Sequence, residues 1–362
     1  DQVMRFAASV EKMYKFHMYN FSNEKIGKKS AFLRCTFETK RKMLDLSYHL
    51  KRGITVNGEN NILKMFETMA NPILQMVSLQ DLPMSGWIAY KPNRPVPEES
   101  AMTSCDKEYF VNWESLKRSK RTEQVIPKCM AFDMEVNSEH DNQMPSDGPV
   151  DSIFQISCVI TDSKSSERRK ILLSLKSADE DEMKKSELLK DTEVILFDTE
   201  KQLVIGFMDL ISRERPNVLA GFNIFGFDIE YAMKRANRFF VSEEFKFVGF
   251  NKQVPAPVEE VKWSSSAYKN QSFKFLNWEG ILLLDLLPII RRDYKLDTYT
   301  LKNVTSTFLN NNTKDPVTYK DIFKAFRTRK GLDVVGKYCV QDSSLCIDLM
   351  EHLHTWVSLS EM

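Results

Sequence analysis

The stretch CMAFDMEV, Cys129–Val136, decides the fold. It is apolar enough for a central β-strand, yet it holds two carboxylates. Residues two apart in a strand share a face. Asp133 and Glu135 therefore point one way beside Ala131, and Phe132, Met134 and Val136 point the other way into apolar packing. Neighbouring carboxylates on a buried strand repel, and burial of an unpaired ion costs several kcal/mol. A bound cation offsets both penalties, whereas an edge strand with a solvated acidic face avoids them. The pair alone leaves both readings open.

Upstream, KPNRPVPEE (Lys91–Glu99) reads as an irregular connection. A basic stretch with Lys117, Arg118, Lys120 and Arg121 follows, and the abrupt change to IPKC places a domain boundary near residue 127. Residues 1–90 mix short β-like runs with a helical stretch near Asn61–Leu79. Downstream, the sequence predicts strands at Ile153–Thr161 and Arg168–Ser174. The charged run Lys176–Lys190 reads as a solvated loop or helix face. An amphipathic helix is expected over Thr199–Arg215, stopped by Pro216. A short buried strand at Asn217–Gly221 leads through a turn to a helix over Ile229–Asn237. Phe245–Asn277 reads as a hairpin-like excursion, Ile281–Asp285 as a strand and Lys337–Leu353 as a helix. Antiparallel strands first and βα units later predict an α/β (α+β) fold, a mixed sheet flanked by helices. A mixed α/β amino-terminal domain precedes it.

Two further elements carry carboxylates in odd places. Tyr338, Leu345, Leu349 and Leu353 form one apolar helical stripe. Asp342 sits inside that stripe, one turn after Tyr338. It needs a partner, either a hydroxyl or Lys from elsewhere or a metal ion. In VLAGFNIFGFDIEYAMKRA (218–236), a strand runs into Gly221, Asn223 and Gly226, and Asp228 opens a helix. Asp228 has a plain alternative role as an N-cap and Asn223 as a turn residue. Phe222, Phe225 and Phe227 are core residues or faces for base stacking. Taken together, Asp133, Glu135, Asp228 and Asp342 are a set that two hard divalent cations want. Such cations activate water and stabilise a leaving oxygen at phosphorus.

Composition excludes other classes. The 362 residues are 42% hydrophobic and 28% charged, as in ordinary globular proteins. Lys and Arg total 51 against 50 Asp and Glu, so nucleic-acid binding must rest on local patches. Candidates are Lys117–Arg121, Arg291, Arg292 and Lys295, and Lys324–Lys330, each also explicable as solvated surface. The longest apolar run, Gly280–Ile290, is broken by Asp285 and is too short to span a bilayer. Six scattered cysteines without a CxxC pair read as reduced thiols of an intracellular protein. The histidines lack ligand spacing, so no zinc site is expected. A chain opening on Asp1 reads as a fragment.

The motifs resemble those of family B DNA polymerases of the delta-like and large DNA-virus type. FDMEVNS resembles the first exonuclease motif, GFNIFGFDIEYAMKRA the second and YCVQDSSL the third. LLDLLPIIRRDYKLDTYTLKNV, with Asp285, Tyr294, Lys295, Tyr299 and Leu301, echoes the sequences between them. PMSGWIAY and EYFVNWESLK are similar to the family's amino-terminal domain. The resemblance implies an RNase H-like 3′–5′ exonuclease domain over 128–355, behind an amino-terminal domain at 1–127. Residues 356–362 would start the connection to an absent palm domain. The polymerase motifs themselves do not occur. It further implies that Asp133, Glu135, Asp228 and Asp342 hold two Mg²⁺, or Mn²⁺, ions and that Tyr338 positions the attacking water. Asn223, Phe227, Tyr299 and Lys314 would contact DNA, and Phe245–Asn277 resembles a hairpin that helps move a primer strand. The expected partners are a single-stranded 3′ end or primer–template DNA, the rest of the polymerase chain and a processivity factor, in the nucleus. The rival readings are a non-catalytic exonuclease-like DNA-binding module and a free-standing 3′–5′ nuclease. Loss of a metal ligand would mark the former, and none is lost.

Overall fold

The computed structural model describes residues 6–16, 29–56, 58–68, 70–162, 165–265, 269–309 and 317–361. Contacts divide the chain into two units, Asp1–Met84 and Ser85–Met362. In the first, β1 (Ser9–Phe16) pairs antiparallel with β2 (Lys29–Thr36), and helix α1 (Lys40–Lys51) follows. Strands β3 (Ile54–Val56) and β4 (Glu59–Asn61) form a small hairpin, and α2 (Pro72–Leu79) closes the unit. The helix expected from Asn61 begins only at Pro72, because the Asn71 side chain caps it and Pro occupies its first turn.

The second unit opens with two short ladders, β5 (Ile88–Ala89) with β8 (Lys117–Arg118) and β6 (Arg94–Pro95) with β7 (Tyr109–Phe110). The division at Met84 falls ahead of the composition change at residue 127. The intervening segment is hydrogen-bonded into the second unit: the Ser104 amide donates to Phe250 O at 2.8 Å, Arg215 donates to Ser104 O, and Trp356 Nε1 donates to Val125 O at 2.9 Å.

The core is a six-stranded mixed sheet. Its strands are β9 (Cys129–Val136), β10 (Ile153–Asp162), β11 (Ser165–Leu175), β12 (Glu193–Phe197), β13 (Val218–Gly221) and β16 (Leu282–Asp285), in the order β12-β11-β10-β9-β13-β16. β9 runs antiparallel to β10 and parallel to β13, and β13 runs parallel to β16. β9 is thus central, and all its residues but Asp133 are buried. Burial on both faces explains the near-continuous apolar runs of β9 and β10. α3 (Glu180–Lys185) lies in the charged run and buries Met183, while β12 is an edge strand that the sequence reading passes over.

Helix α4 (Glu200–Glu214) starts with a Thr199–Gln202 capping box and ends on left-handed Arg215. Its Phe207 packs on Phe132 of β9 with ring centroids 5.3 Å apart, covering one face of the sheet. α5 (Asp228–Arg238) follows β13, and α6 (Ser242–Lys246) leads to the hairpin of β14 (Val258–Ser265) and β15 (Lys269–Leu276). After β16 come α7 (Leu286–Asp293), α8 (Leu301–Leu309) and α9 (Tyr319–Thr328). The 21-residue α10 (Leu332–His352) lies on the other face of the sheet, and α11 (Thr355–Glu361) ends the unit. No helix among the described residues is long and apolar enough to cross a membrane.

Candidate active site: a buried carboxylate cluster

Asp133 and Glu135 face α10. Their partners across β10 are Ser157 and Gln155. Both reach the helix: Ser157 Oγ donates to Cys339 O at 2.8 Å, and Gln155 Nε2 donates to Leu332 O at 2.7 Å. Gly336 permits the approach, since a Cβ there would lie 2.4 Å from Leu172 Cδ2 and 3.3 Å from Gln155 Nε2. α10 is thereby pressed over the acidic strand face. A carboxylate oxygen of Asp133, one of Glu135 and Cys339 Sγ all lie within 4.8 Å of one another.

The third contribution comes from the turn after β13. In register, Gly221 stands beside Asp285 of β16. A Cβ on Gly221 would meet Phe132 O at 2.9 Å, so only glycine lets this turn pass beside β9 next to Asp133. The Asp285 carboxylate then organises the turn. It accepts from the amides of Asn223 at 2.7 Å, Phe225 at 3.0 Å and Leu287 at 3.0 Å. Asn223 is left-handed at φ 65°, a conformation Asn tolerates. Phe227, not Asp228, occupies the N-cap position of α5, and it makes no side-chain cap bond. Asp228 instead sends its carboxylate back to β9, where the Met134 amide donates to it. The N-cap alternative for Asp228 is thus replaced by a cross-link to the acidic strand.

The electrostatics are those of crowded, buried like charges. Burial, then Asp228, Glu135 and Asp342, pushes the Asp133 carboxyl well above its ordinary range. Burial, then Asp342 and Asp228, does the same to Glu135. Asp228 is pushed up to about 7, chiefly by burial and further by Asp285, against the pull of its own amide and that of Met134. On α10 the Tyr338 hydroxyl donates to Asp342, and burial together with Asp342 and Glu135 drives the phenol above its ordinary value. Among the described residues, the charged side chains that act most on Asp133 and Glu135 are other carboxylates. Oxygen donors with this unbalanced negative charge suit a hard divalent cation.

The profile described as DNA polymerase family B, exonuclease domain, matches residues 63–304. The chain belongs to this family. Protein 060R of Frog virus 3 (isolate Goorha), which is named as a DNA polymerase, is 39% identical over 98% of this chain and 33% of its own length. DNA polymerase 120R of Invertebrate iridescent virus 3 is 37% identical over 94% of this chain and 31% of its own. The DNA polymerase delta catalytic subunit of Drosophila melanogaster is 24% identical over the whole chain and 33% of its own length. The chain therefore spans about a third of these curated relatives. The mixed sheet between helices agrees with the RNase H-like arrangement expected of a family B exonuclease domain.

Within this domain, the residues expected to contact DNA fare unequally. Asn223 is exposed on its turn, and Phe227 stacks on Tyr231 at 5.1 Å. Phe225 meets Phe273 and Phe275 of the hairpin at 5.8 and 5.2 Å, so that ring packs against β15. The Tyr299 hydroxyl accepts from the Leu296 amide at 3.2 Å and donates to Tyr294 O at 3.0 Å, bracing its own loop. Lys314 lies outside the described residues. Several basic candidates have acidic neighbours: Arg121 pairs with Glu123 at 3.3 Å, Arg292 with Asp293 at 2.7 Å and Arg327 with Asp141 at 2.7 Å.

The sequence reading misses two contributors. Cys339 lies three residues before Asp342 on α10, a spacing that already places both on one helical face. Asp285 is quoted in the sequence reading only as part of a motif. Its work as the acceptor for three amides becomes visible only when β13 and β16 are paired.

Proposed function

We propose that this chain is the proofreading region of a DNA-directed DNA polymerase and removes the 3′-terminal nucleotide of DNA by hydrolysis. The observation that carries the reading is the convergence of Asp133, Glu135, Asp228 and Asp342 from a strand and two helices, with carboxylates as the main charges acting on the central pair among the described residues. Those four side chains would hold two Mg²⁺ ions, with Mn²⁺ as a substitute. Bound there, such cations supply the charge that water activation and departure of an oxyanion from phosphorus demand. The oxygen of water bonds to phosphorus and the P–O3′ bond breaks. The products are a nucleoside 5′-monophosphate and a shortened strand with a new 3′-hydroxyl.

The chain's own residues do the positioning. Tyr338, held to Asp342 and with its phenol kept protonated, orients the attacking water rather than deprotonating it. Asp285 fixes the turn that delivers Asp228. Cys339 Sγ donates to the Asp133 carbonyl at 3.6 Å and lies within 4.8 Å of its carboxylate, and so limits the swing of that carboxylate. Asn223 and Phe227 sit on the turn beside the cluster and would meet the terminal nucleotides; Tyr299 and Lys314 complete the proposed contacts. The amino-terminal, exonuclease and connecting segments keep the bounds 1–127, 128–355 and 356–362 in this reading. Replication by the parent polymerase, a processivity partner and action in the nucleus belong to the same proposal.

The test uses single-stranded DNA labelled at either end, with Mg²⁺ or with EDTA. The reading expects mononucleotides released from the 3′ end, and only with the metal. Asp133→Ala with Glu135→Ala should abolish release. Digestion from the 5′ end, or in EDTA, contradicts it.

A further inference from the structure

The amino-terminal unit has a sheet face of unusual make-up. In the β1–β2 ladder, Lys12 stands opposite Leu33, Tyr14 opposite Ala31 and Phe16 opposite Lys29. Cross-strand partners share a face, as do residues two apart. One face therefore carries Lys12, Tyr14, Phe16, Lys29 and Leu33. It is the outward one: Tyr14 is 61% exposed, Phe16 58% and Leu33 66%. The other face holds half-buried Met13 and Phe32, and Phe32 meets Phe66 edge-on at 5.5 Å.

The chemistry of the outward face is specific. The Lys12 ammonium lies 5.6 Å from the Tyr14 ring centroid, and that of Lys29 lies 5.3 Å from Phe16. The acidic residue of the ladder, Glu11, is on the opposite face, where Arg34 holds it at 2.9 Å. Residues 1–84 contain 13 Lys and Arg against 8 Asp and Glu, in a chain that is otherwise almost balanced. Cations beside exposed aromatic rings complement a polyanion whose bases offer π faces. Tyr14 and Phe16 are two residues apart, roughly 6.6 Å along a strand. That spacing suits successive bases of an extended single strand better than the closely stacked bases of a duplex.

We infer that this face binds single-stranded DNA, with neighbouring bases stacked on Tyr14 and Phe16 and flanking phosphates held by Lys12 and Lys29. The site lies in the amino-terminal unit and shares no residue with the carboxylate cluster. It would retain a strand whether or not its end is being digested.

The test titrates the full chain, in EDTA to prevent digestion, with a labelled thymidylate oligomer of about 12 nucleotides, a length within the range that such sites cover. Anisotropy is read at several salt concentrations. Tyr14→Ala with Phe16→Ala should weaken binding about 5–150-fold for each base lost, with the salt slope unchanged. Tyr14→Leu with Phe16→Leu keeps the apolar bulk and guards against a folding defect; it should lose affinity likewise. Lys12→Gln with Lys29→Gln should lower the slope of log affinity against log salt by about 1.4. Photocrosslinking with an iodouracil-substituted oligomer should mark Tyr14 or Phe16. Asp133→Ala with Glu135→Ala should leave all of this intact, which separates the inference from the nuclease reading. Unchanged affinity in both aromatic variants overturns the inference, and so do crosslinks confined to the second unit. A wild-type self-association that the aromatic variants abolish, with oligomer binding intact, also overturns it and makes the face an interface between copies.

Discussion

Asp228 allows the strain in the cluster to be measured without any nuclease assay. Burial and its acidic neighbour Asp285 raise its carboxyl from the ordinary 3.8 to about 7. A raised acid stabilises the fold while it is protonated. The contribution is fully present below the unfolded value and is lost as pH rises through the folded one. At 1.36 kcal/mol per pKa unit, the whole swing is about 4 kcal/mol. About half of it, roughly 2 kcal/mol, falls between about pH 5.5 and about pH 8.5. For a unit of this size that is roughly 4–8 °C in melting temperature. Asp133 and Glu135 are shifted in the same direction and would deepen the loss. Asp151 and Glu214 are pushed up by burial, but bonds from Ser146 and Lys128 respectively outweigh it and hold both below their ordinary values. Their contributions fade only in more acidic solution and do not enter this window. The assay is thermal melting in EDTA at the two pH values, for wild type and Asp228→Asn. Wild type should melt lower at the higher pH. The variant, which cannot ionise there, should lose markedly less and should exceed wild type at the higher pH. Mg²⁺ at about 100 times its dissociation constant should restore about 2.7 kcal/mol to wild type. Equal wild-type melting at both pH values would refute the argument, as would an undiminished drop in the variant.

Other substitutions separate the roles within the site. Asp133→Ala with Glu135→Ala should leave circular dichroism and metal-free melting unchanged or improved, since removing a buried like-charge pair relieves repulsion. Its digestion of DNA should be undetectable. Tyr338→Phe should lose less activity than Asp342→Ala, roughly 10²–10⁴-fold at most, because it removes only a positioning hydroxyl; single-turnover rates compare the two. Asp285→Asn replaces one acceptor oxygen with a donor against the turn amides. It should destabilise the fold by about 1–3 kcal/mol in urea titrations and slow digestion, although Asp285 is not among the proposed metal ligands. Single-stranded DNA should be digested from its 3′ end faster than mismatched duplex, and matched duplex slowest, since opening a paired end costs a few kcal/mol. Equal rates at one ionic strength would speak against a site that admits only an extended strand.

The carboxylates are legible in the sequence because they break local rules. Asp133 and Glu135 interrupt a run that is otherwise fit for a central strand, and Asp342 interrupts a helical stripe. Each violation is visible within a few residues, and the structure keeps both elements. What was hidden depends on distant pairing. Asp285 reads as the end of a strand until β13 lies beside β16 and its oxygens meet the amides of Asn223 and Phe225. The protein contacts of Tyr299 and Phe225 were hidden in the same way: a loop amide and carbonyl for one, two hairpin rings for the other. The edge strand β12 escaped because its EVILF lies against charged and turn-forming neighbours and lacks alternation.

The contrast between the cluster and the other buried ions of the domain bears on why the cluster exists. Arg235 is 1% exposed, and it donates to both oxygens of Glu200 at 2.5 and 2.6 Å and to Gly148 O at 2.8 Å. Glu200 also accepts from the Ile153 amide at 2.9 Å, so neither ion is left with an empty side. Glu214 is likewise shared by Lys128 at 2.9 Å and Arg169 at 3.1 Å. Breaking the buried Arg235–Glu200 pair costs about 3–5 kcal/mol; that pair ties α5 to α4, and Glu214 ties Arg169 of β11 to α4. The fold thus supplies counter-charges to buried acids where the acids serve as struts. Among the described residues, those that act most on Asp133 and Glu135 are further acids, with a thiol as hydrogen-bond donor. A scaffold able to satisfy Glu200 and Glu214 could have satisfied these two by the same means. Protonation of the raised carboxyls relieves this crowding in acid, and in the proposed function a divalent cation would relieve it where they ionise.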